Sequence, residues 1–175
     1  MALLDIFSST ETRKAKAPQR RNQPNDRDVL DTLKEEHEEV QELLAKLVDS
    51  EKAAERNALV KKIKAALVPH TKAEEKVVYD AILAVRGDKD AKIDGNEGYL
   101  EHAHADMALK TLAKIKPPTA PEFTAAAKVL KELIEHHVKE EERNVWRDVR
   151  KHFDADERVE MNRKFEAAKK RVKVS

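Results

Sequence analysis

Residues 70–79 read His70-Thr71-Lys72-Ala73-Glu74-Glu75-Lys76-Val77-Val78-Tyr79, and residues 137–146 read His137-Val138-Lys139-Glu140-Glu141-Glu142-Arg143-Asn144-Val145-Trp146. Both stretches follow one pattern, a histidine, a glutamate four positions on, a second glutamate, and an aromatic residue four positions after that. In an α-helix, side chains at i and i+4 stack on one face one turn apart, so each histidine and its first glutamate can reach the same point. Both pairs fall in apolar stripes of helical period: Ile63, Leu67, His70, Glu74, Val77 and Ala81 in one case, Leu130, Ile134, His137, Glu141 and Val145 in the other. The ionisable groups therefore face a core.

Working outward, a second repeat precedes each pair. Glu36-His37-x-x-Val40-x-x-Leu43-Leu44-x-x-Leu47 aligns with Glu101-His102-x-x-Ala105-x-x-Ala108-Leu109-x-x-Leu112. Each half of the chain is then a helical hairpin with one histidine on its first helix and a His-x-x-x-Glu pair on its second. Helices are expected over about 28–48, 53–86, 97–115 and from 119 onward, with Gly87 as a stop, a loop holding Gly87, Gly95 and Gly98, and Thr119-Ala120-Pro121-Glu122 as a capping box. Pro69 is expected to kink the second helix and turn His70 inward. Two hairpins packed face to face make an all-α, antiparallel up-down four-helix bundle with a pseudo-twofold axis. The expected organisation is a flexible tail over 1–27, the bundle over 28–153 and a charged extra helix over 154–175 that lies loosely on it. Leu3, Leu4, Ile6 and Phe7 form a short apolar cluster in the tail, read first as a frayed end and otherwise as a short docking helix for a protein partner or for the body of the protein.

Composition supports this and narrows the function. Aromatic residues are 4% of the 175 and only three residues are glycine, which disfavours a β-rich fold. There is no cysteine, so thiolate metal sites, iron–sulfur clusters, disulfides and cysteine nucleophiles are excluded together. A net charge of +1 gives no electrostatic reason to expect nucleic acid or an acidic membrane surface as a partner. No stretch has the length of a membrane span, and the opening Met1–Phe7 is too short for a secretory core, so a cytoplasmic protein is expected.

Six polar side chains, His37, His70, Glu74, His102, His137 and Glu141, are thus directed into one bundle core. A buried carboxylate without a partner is costly. Two of them among four imidazoles call for a compensating positive charge, and a pair of metal cations supplies it. Imidazole with carboxylate suits iron, manganese or zinc, and because carboxylates bridge, six ligands suffice for a dinuclear centre with open positions. The other candidates separate by helical phase at about 100° per residue. His104 points away from His102, His136 with Glu140 is a rival pair one residue out of its stripe, and His152 lies beyond it. Asp106 is close to the His102 direction and is either a further oxygen ligand or a solvated acid. Glu36 and Glu101 are expected to solvate the outer face, and Tyr79 and Trp146 to pack the end of the bundle.

The order His, His-x-x-x-Glu, His, His-x-x-x-Glu over residues 28–150 resembles the hemerythrin-like family, the HHE cation-binding domain. The resemblance implies two iron ions joined by an oxo or hydroxo bridge, with His37, His70, His102 and His137 as terminal ligands and Glu74 and Glu141 as bridging carboxylates. Ferritin-like di-iron bundles use Glu-x-x-His instead, a spacing found here at Glu101 and His104, out of phase. Oxygen-carrying hemerythrins have a fifth histidine where this chain has Asp106, and they space the last histidine and acid one residue wider, which would select Glu142. The chain is therefore similar to the bacterial four-histidine type. That implies reaction with O2, peroxide or nitric oxide in oxidative or nitrosative stress rather than reversible O2 carriage. The alternative is a non-catalytic iron or oxygen sensor, or a metal-binding module acting through a partner.

Overall fold

Helix boundaries follow the capping chemistry of the chain. A computed structural model describes residues 26–174, and residues 1–25, which include the apolar N-terminal cluster and most of the expected tail, lie outside the described residues, as does Ser175. The helices are α1 (Val29–Asp49), α2 (Ala53–Glu74), a π-helical turn (Glu75–Tyr79) that leads into α3 (Asp80–Leu83), α4 (Lys89–Lys114), α5 (Pro121–Arg143), α6 (Val145–His152) and α7 (Ala155–Lys169). Asp28 starts α1 by accepting from the Leu30 amide at 3.0 Å, Asp88 starts α4 by accepting from Ala91 at 3.1 Å, and Asp154 with Glu157 forms a reciprocal capping box at α7. No side chain caps α5. Its N-cap is Ala120, and the expected Thr119–Glu122 box is replaced by Pro121 in the first turn, where a missing amide hydrogen is harmless.

The first hairpin is α1 against the α2–α3 run, and the second is α4 against the α5–α6 run. α1 also packs on α5 and α2 on α4, closing an antiparallel bundle with no strand among the described residues. Gly87, with φ of 80°, ends the second arm in the left-handed region where glycine is favoured. Gly95 and Gly98, expected in a loop, instead lie inside α4, which begins eight residues earlier than its sequence pattern indicates. They allow close helix approach. A Cβ on Gly98 would stand 2.6 Å from the Tyr79 ring, and one on Gly95 3.1 Å from Ile82.

The π-turn shifts the buried face of the second arm. A regular helix would continue the stripe from Glu74 to Val77 and Ala81, but the extra residue in the turn buries Val78, Tyr79 and Ile82 instead. The other hairpin breaks at the matching place, where Asn144 separates α5 from α6, and Val145, Trp146 and Val149 are buried beyond it. The core is consequently two apolar clusters with a polar layer between them. One holds Val40, Leu44, Ile63, Leu109, Leu130 and their neighbours, the other Leu33, Val78, Tyr79, Trp146 and Phe165 among others.

Helix α7 is not loosely attached. It packs on α1, α2 and the π-turn, with Phe165 fully buried and Met161 nearly so. Burying a side chain of that size stabilises the fold by roughly 1.5–3 kcal/mol. Arg158 donates to Asp28 at 2.7 Å, and Lys169 pairs with Glu36, so the charged face of α7 is tied to α1 as well.

Candidate metal centre

The polar layer contains the four histidines and two glutamates singled out by the repeat. Their exposures are 3% for His37, His70 and His102, 4% for His137, 2% for Glu141 and 0% for Glu74. They form two histidine pairs, one from each hairpin: the rings of His37 and His70 are 5.1 Å apart and those of His102 and His137 4.6 Å. Each glutamate stands between the pairs. Glu74 Oε2 is 3.2 Å from His70 Nε2 and 3.5 Å from His102 Nε2. Glu141 Oε2 is 3.4 Å from both His37 Nε2 and His137 Nε2.

Two tests of fit favour a cation here. His37 Nε2, both Glu74 oxygens and Glu141 Oε2 are buried with no hydrogen-bond partner, a set of orphaned polar atoms that a folded protein rarely tolerates. Also, His102 Nε2 and His137 Nε2 face one another at 3.1 Å. A metal held by imidazole at about 2.1 Å separates two ligands at right angles by about 3.0 Å. Ligand atoms of His37, His70 and Glu74, and separately of Glu74, His102 and His137, each lie close enough together to hold a metal ion, with Glu74 common to both groups.

Around this layer stands a ring of four further carboxylates: Glu36 and Glu101, expected on the solvated outer face, Glu142, the acid a wider spacing would select, and Glu75, for which no role was expected. His70 Nδ1 donates to Glu36 Oε2 at 2.9 Å and His137 Nδ1 to Glu101 Oε2 at 2.7 Å. His37 Nδ1 is 3.2 Å from Glu142 Oε1. His102 Nδ1 is 3.3 Å from Glu75 Oε1, a contact short of hydrogen-bond alignment. The four contacts obey the pseudo-twofold. The glutamate preceding each first-helix histidine serves the second-helix histidine of its own hairpin, and the second glutamate of each Glu-Glu doublet serves the first-helix histidine of the other hairpin. An acceptor on Nδ1 fixes the tautomer and leaves the Nε2 lone pair aimed inward.

Charge follows the same arrangement. Burial alone would depress His70 and His137, but carboxylates outweigh it: Glu74 and Glu36 raise His70 to about 9, and Glu101 and Glu141 raise His137 to about 10. His37 is raised in the same way by Glu141 and Glu142. Glu141, which burial would push up, is held well below the usual carboxylate range by His137 and His37. Glu141 thus draws positive charge to the layer, supplied by protons on His37 and His137 when no metal is bound.

Both aromatic residues expected at the bundle end touch the site. Trp146 Nε1 donates to Glu141 Oε1 at 3.1 Å, and its ring stacks on His37 at 5.9 Å. The buried Tyr79 hydroxyl is 3.4 Å from His102 Nε2. The π-turn and the Asn144 break put these side chains beside Glu74 and Glu141, since five positions along a regular helix would turn them about 140° away. The remaining candidates stay outside. Asp106 pairs with Lys110 at 2.6 Å with its side chain 41% exposed, His104 and His136 are exposed, and His152 pairs with Asp88 at 2.8 Å. Glu142, the acid a wider spacing would select, is one-third exposed and serves His37 Nδ1, while Glu141 is the buried one.

Among the described residues, no helix is long and apolar enough to cross a membrane. A protein from Nostoc sp. (strain PCC 7120 / SAG 25.82 / UTEX 2576) described as a DNA nickase is 25% identical over 147 residues, which are 84% of this chain and 40% of that protein. This chain therefore spans well under half the length of that relative. No solved structure matches the chain. Residues 28–147, the segment that contains both hairpins and the whole polar layer, match the hemerythrin HHE cation binding domain, and the chain belongs to that family.

Proposed function

We propose that His37, His70, Glu74, His102, His137 and Glu141 hold two iron ions and that the centre reacts with O2, peroxide or nitric oxide in defence against oxidative or nitrosative stress. The observation that carries this reading is the placement of Glu74 and Glu141, each with one oxygen within 3.5 Å of a histidine from both pairs. Such a carboxylate can bridge two ions, and six ligands leave positions open on both. Bound iron would supply one-electron chemistry and sites for a small ligand.

The protein's own residues do the rest. The Nδ1-bound glutamates orient the imidazoles, the two apolar clusters exclude water from the layer, and Trp146 directs Glu141 through its Oε1. Zinc or manganese fits the same donors, and a purely structural or sensing module is the competing use of them. Protein produced with added iron should contain about two irons per chain, show charge-transfer absorption in the near ultraviolet and consume peroxide. A folded Glu74→Ala variant should lose the absorption and the turnover. Unchanged peroxide turnover in that variant would remove the site from the reaction.

The Nostoc relative supports a second reading, a cation-binding module in a protein that acts on DNA. The six donors are at most 4% exposed, so a phosphodiester would have to meet another surface. Metal-dependent nicking of supercoiled plasmid by this chain, abolished by Glu74→Ala, would establish that reading in place of the first.

A further inference from the structure

A small cleft between α4 and α5, partly open to solvent, reaches residues of the polar layer. It holds about 10 Å³, close to the room one water needs. At its inner end are His137 and Glu141, and its walls carry four more carboxylates: Asp94, Glu97, Glu101 and Glu140. Their exposure is graded. Glu97 is exposed, the side chains of Glu140, Glu101 and Asp94 are 20%, 18% and 12% exposed, and Glu141 is buried. Arg143 holds Glu140 and Arg147 holds Asp94 at 3.0 Å, while Glu101 is bound to His137. Two guanidiniums therefore face four carboxylates, and Glu97, at the mouth, has no ion-pair partner among the described residues. Glu141 lines the cleft and is 2% exposed, and its Oε2 has no hydrogen-bond partner.

The geometry points to this cavity as the passage by which divalent cations reach the centre, with Glu97 and Glu140 capturing the ion and handing it to Glu141 and His137. The inference rests on the two-metal reading above and adds a route to it. A narrow cleft of net negative charge concentrates cations and raises their rate of arrival by about 10-fold or more, an effect that salt weakens. A neutral molecule such as peroxide feels no such field. The carboxylates of this wall are thus selective for the cation and not for the oxidant. Gly98, on the same wall, gives the passage its narrowness, because Tyr79 occupies the space where a side chain would be.

The test uses metal-free protein and Co²⁺ alone, followed by stopped-flow absorbance in the visible region together with final metal content. The Glu97→Gln/Glu140→Gln double variant should take up Co²⁺ about 10-fold more slowly than the parent and reach the same content. Glu97→Lys, a change at an exposed position that folding tolerates, should be slower still, and its deficit should shrink in high salt. Glu51→Lys, an equal charge change at the far end of the bundle, should stay within about two-fold of the parent. Parental uptake rates in Glu97→Lys with full content would overturn the passage. Reduced final content in the same variant would also overturn it, by making Glu97 part of the holding site. If the parent itself bound no Co²⁺, the reading of the six donors as a metal centre would fail first.

Discussion

Replacing Glu101 by Gln keeps the shape of the side chain and an oxygen able to accept from His137 Nδ1, but removes the charge. A hydrogen bond to a charged group contributes about 1.5–3 kcal/mol and a neutral one about 0.5–1.5 kcal/mol. The difference, about 1–1.5 kcal/mol, corresponds to a metal affinity roughly 5- to 13-fold weaker at the ion that His137 binds. The structure ranks the four positions. Glu101 makes the shortest contact, at 2.7 Å, and is 18% exposed. Glu36 is at 2.9 Å but shares its charge with Lys169. Glu142 is at 3.2 Å and one-third exposed, and Glu75 is at 3.3 Å without hydrogen-bond alignment. Loss of affinity should fall in the order Glu101→Gln, Glu36→Gln, then Glu142→Gln and Glu75→Gln, with the last two within about three-fold of the parent. Competition of each variant against a chromogenic chelator for Zn²⁺ measures this, with far-ultraviolet circular dichroism as the check on folding. Four variant affinities within two-fold of the parent would refute the idea that these carboxylates orient the histidines for metal. Equal losses at all four would refute the ranking by geometry.

Phe165→Ala should lower the unfolding free energy by about 3–5 kcal/mol in denaturant titration, because it empties a fully buried site between α7 and the bundle. The Phe165 ring also meets the edge of His70 at 5.9 Å, so faster hydrogen–deuterium exchange near His70 should accompany the loss. Gly98→Ala should destabilise by about 1–3 kcal/mol through the clash with Tyr79, less the roughly 1 kcal/mol that alanine gains over glycine in a helix. A variant more stable than the parent in thermal unfolding would contradict the close approach. Burial and the neighbouring Asp148 raise Asp94 to about 6, so the folded state binds its proton more tightly than the unfolded state does. That contribution is present below the ordinary Asp value near 3.8 and is lost as pH rises through about 6, so part of the fall in melting temperature over that window should vanish in Asp94→Asn. Chelation of the metal-loaded protein should lower its melting temperature, since a ligand present at 100 times its Kd stabilises by about 2.7 kcal/mol.

The bundle and its polar layer were legible because two periodicities coincide. Apolar residues at helical spacing define the core face, and His37, His70, Glu74, His102, His137 and Glu141 occupy that face in an internal repeat, so chance is a poor account of six polar groups in phase. What was not legible depends on contacts between helices. Gly95 and Gly98 read as loop residues because isolated glycines weaken a helix. Their purpose appears only when Tyr79 and Ile82 are packed against them. The capacity of Glu36 and Glu101 to serve a neighbouring helix is invisible on their own helix, where they sit beside the stripe rather than in it.

The π-turn is the hardest case, and it shows how the two levels interact. Sequence periodicity treats a helix as a fixed ruler, and on that ruler Tyr79 points away from Glu74. The fold places both in the core by widening one turn at Glu75–Tyr79, and it does the same for Glu141 and Trp146 by breaking the helix at Asn144. The local signal was present all the same, as the repeated Glu-Glu-x-x-x-aromatic pattern. Repetition of an aromatic at a spacing that regular helices would waste is a reason to expect an irregular turn. Such turns concentrate at functional sites because backbone that departs from the regular ladder must be stabilised by what it positions. Here it positions an acid between two histidine pairs and an aromatic ring against one of them, and both hairpins leave the regular helix at the matching place, one by widening a turn and the other by a break.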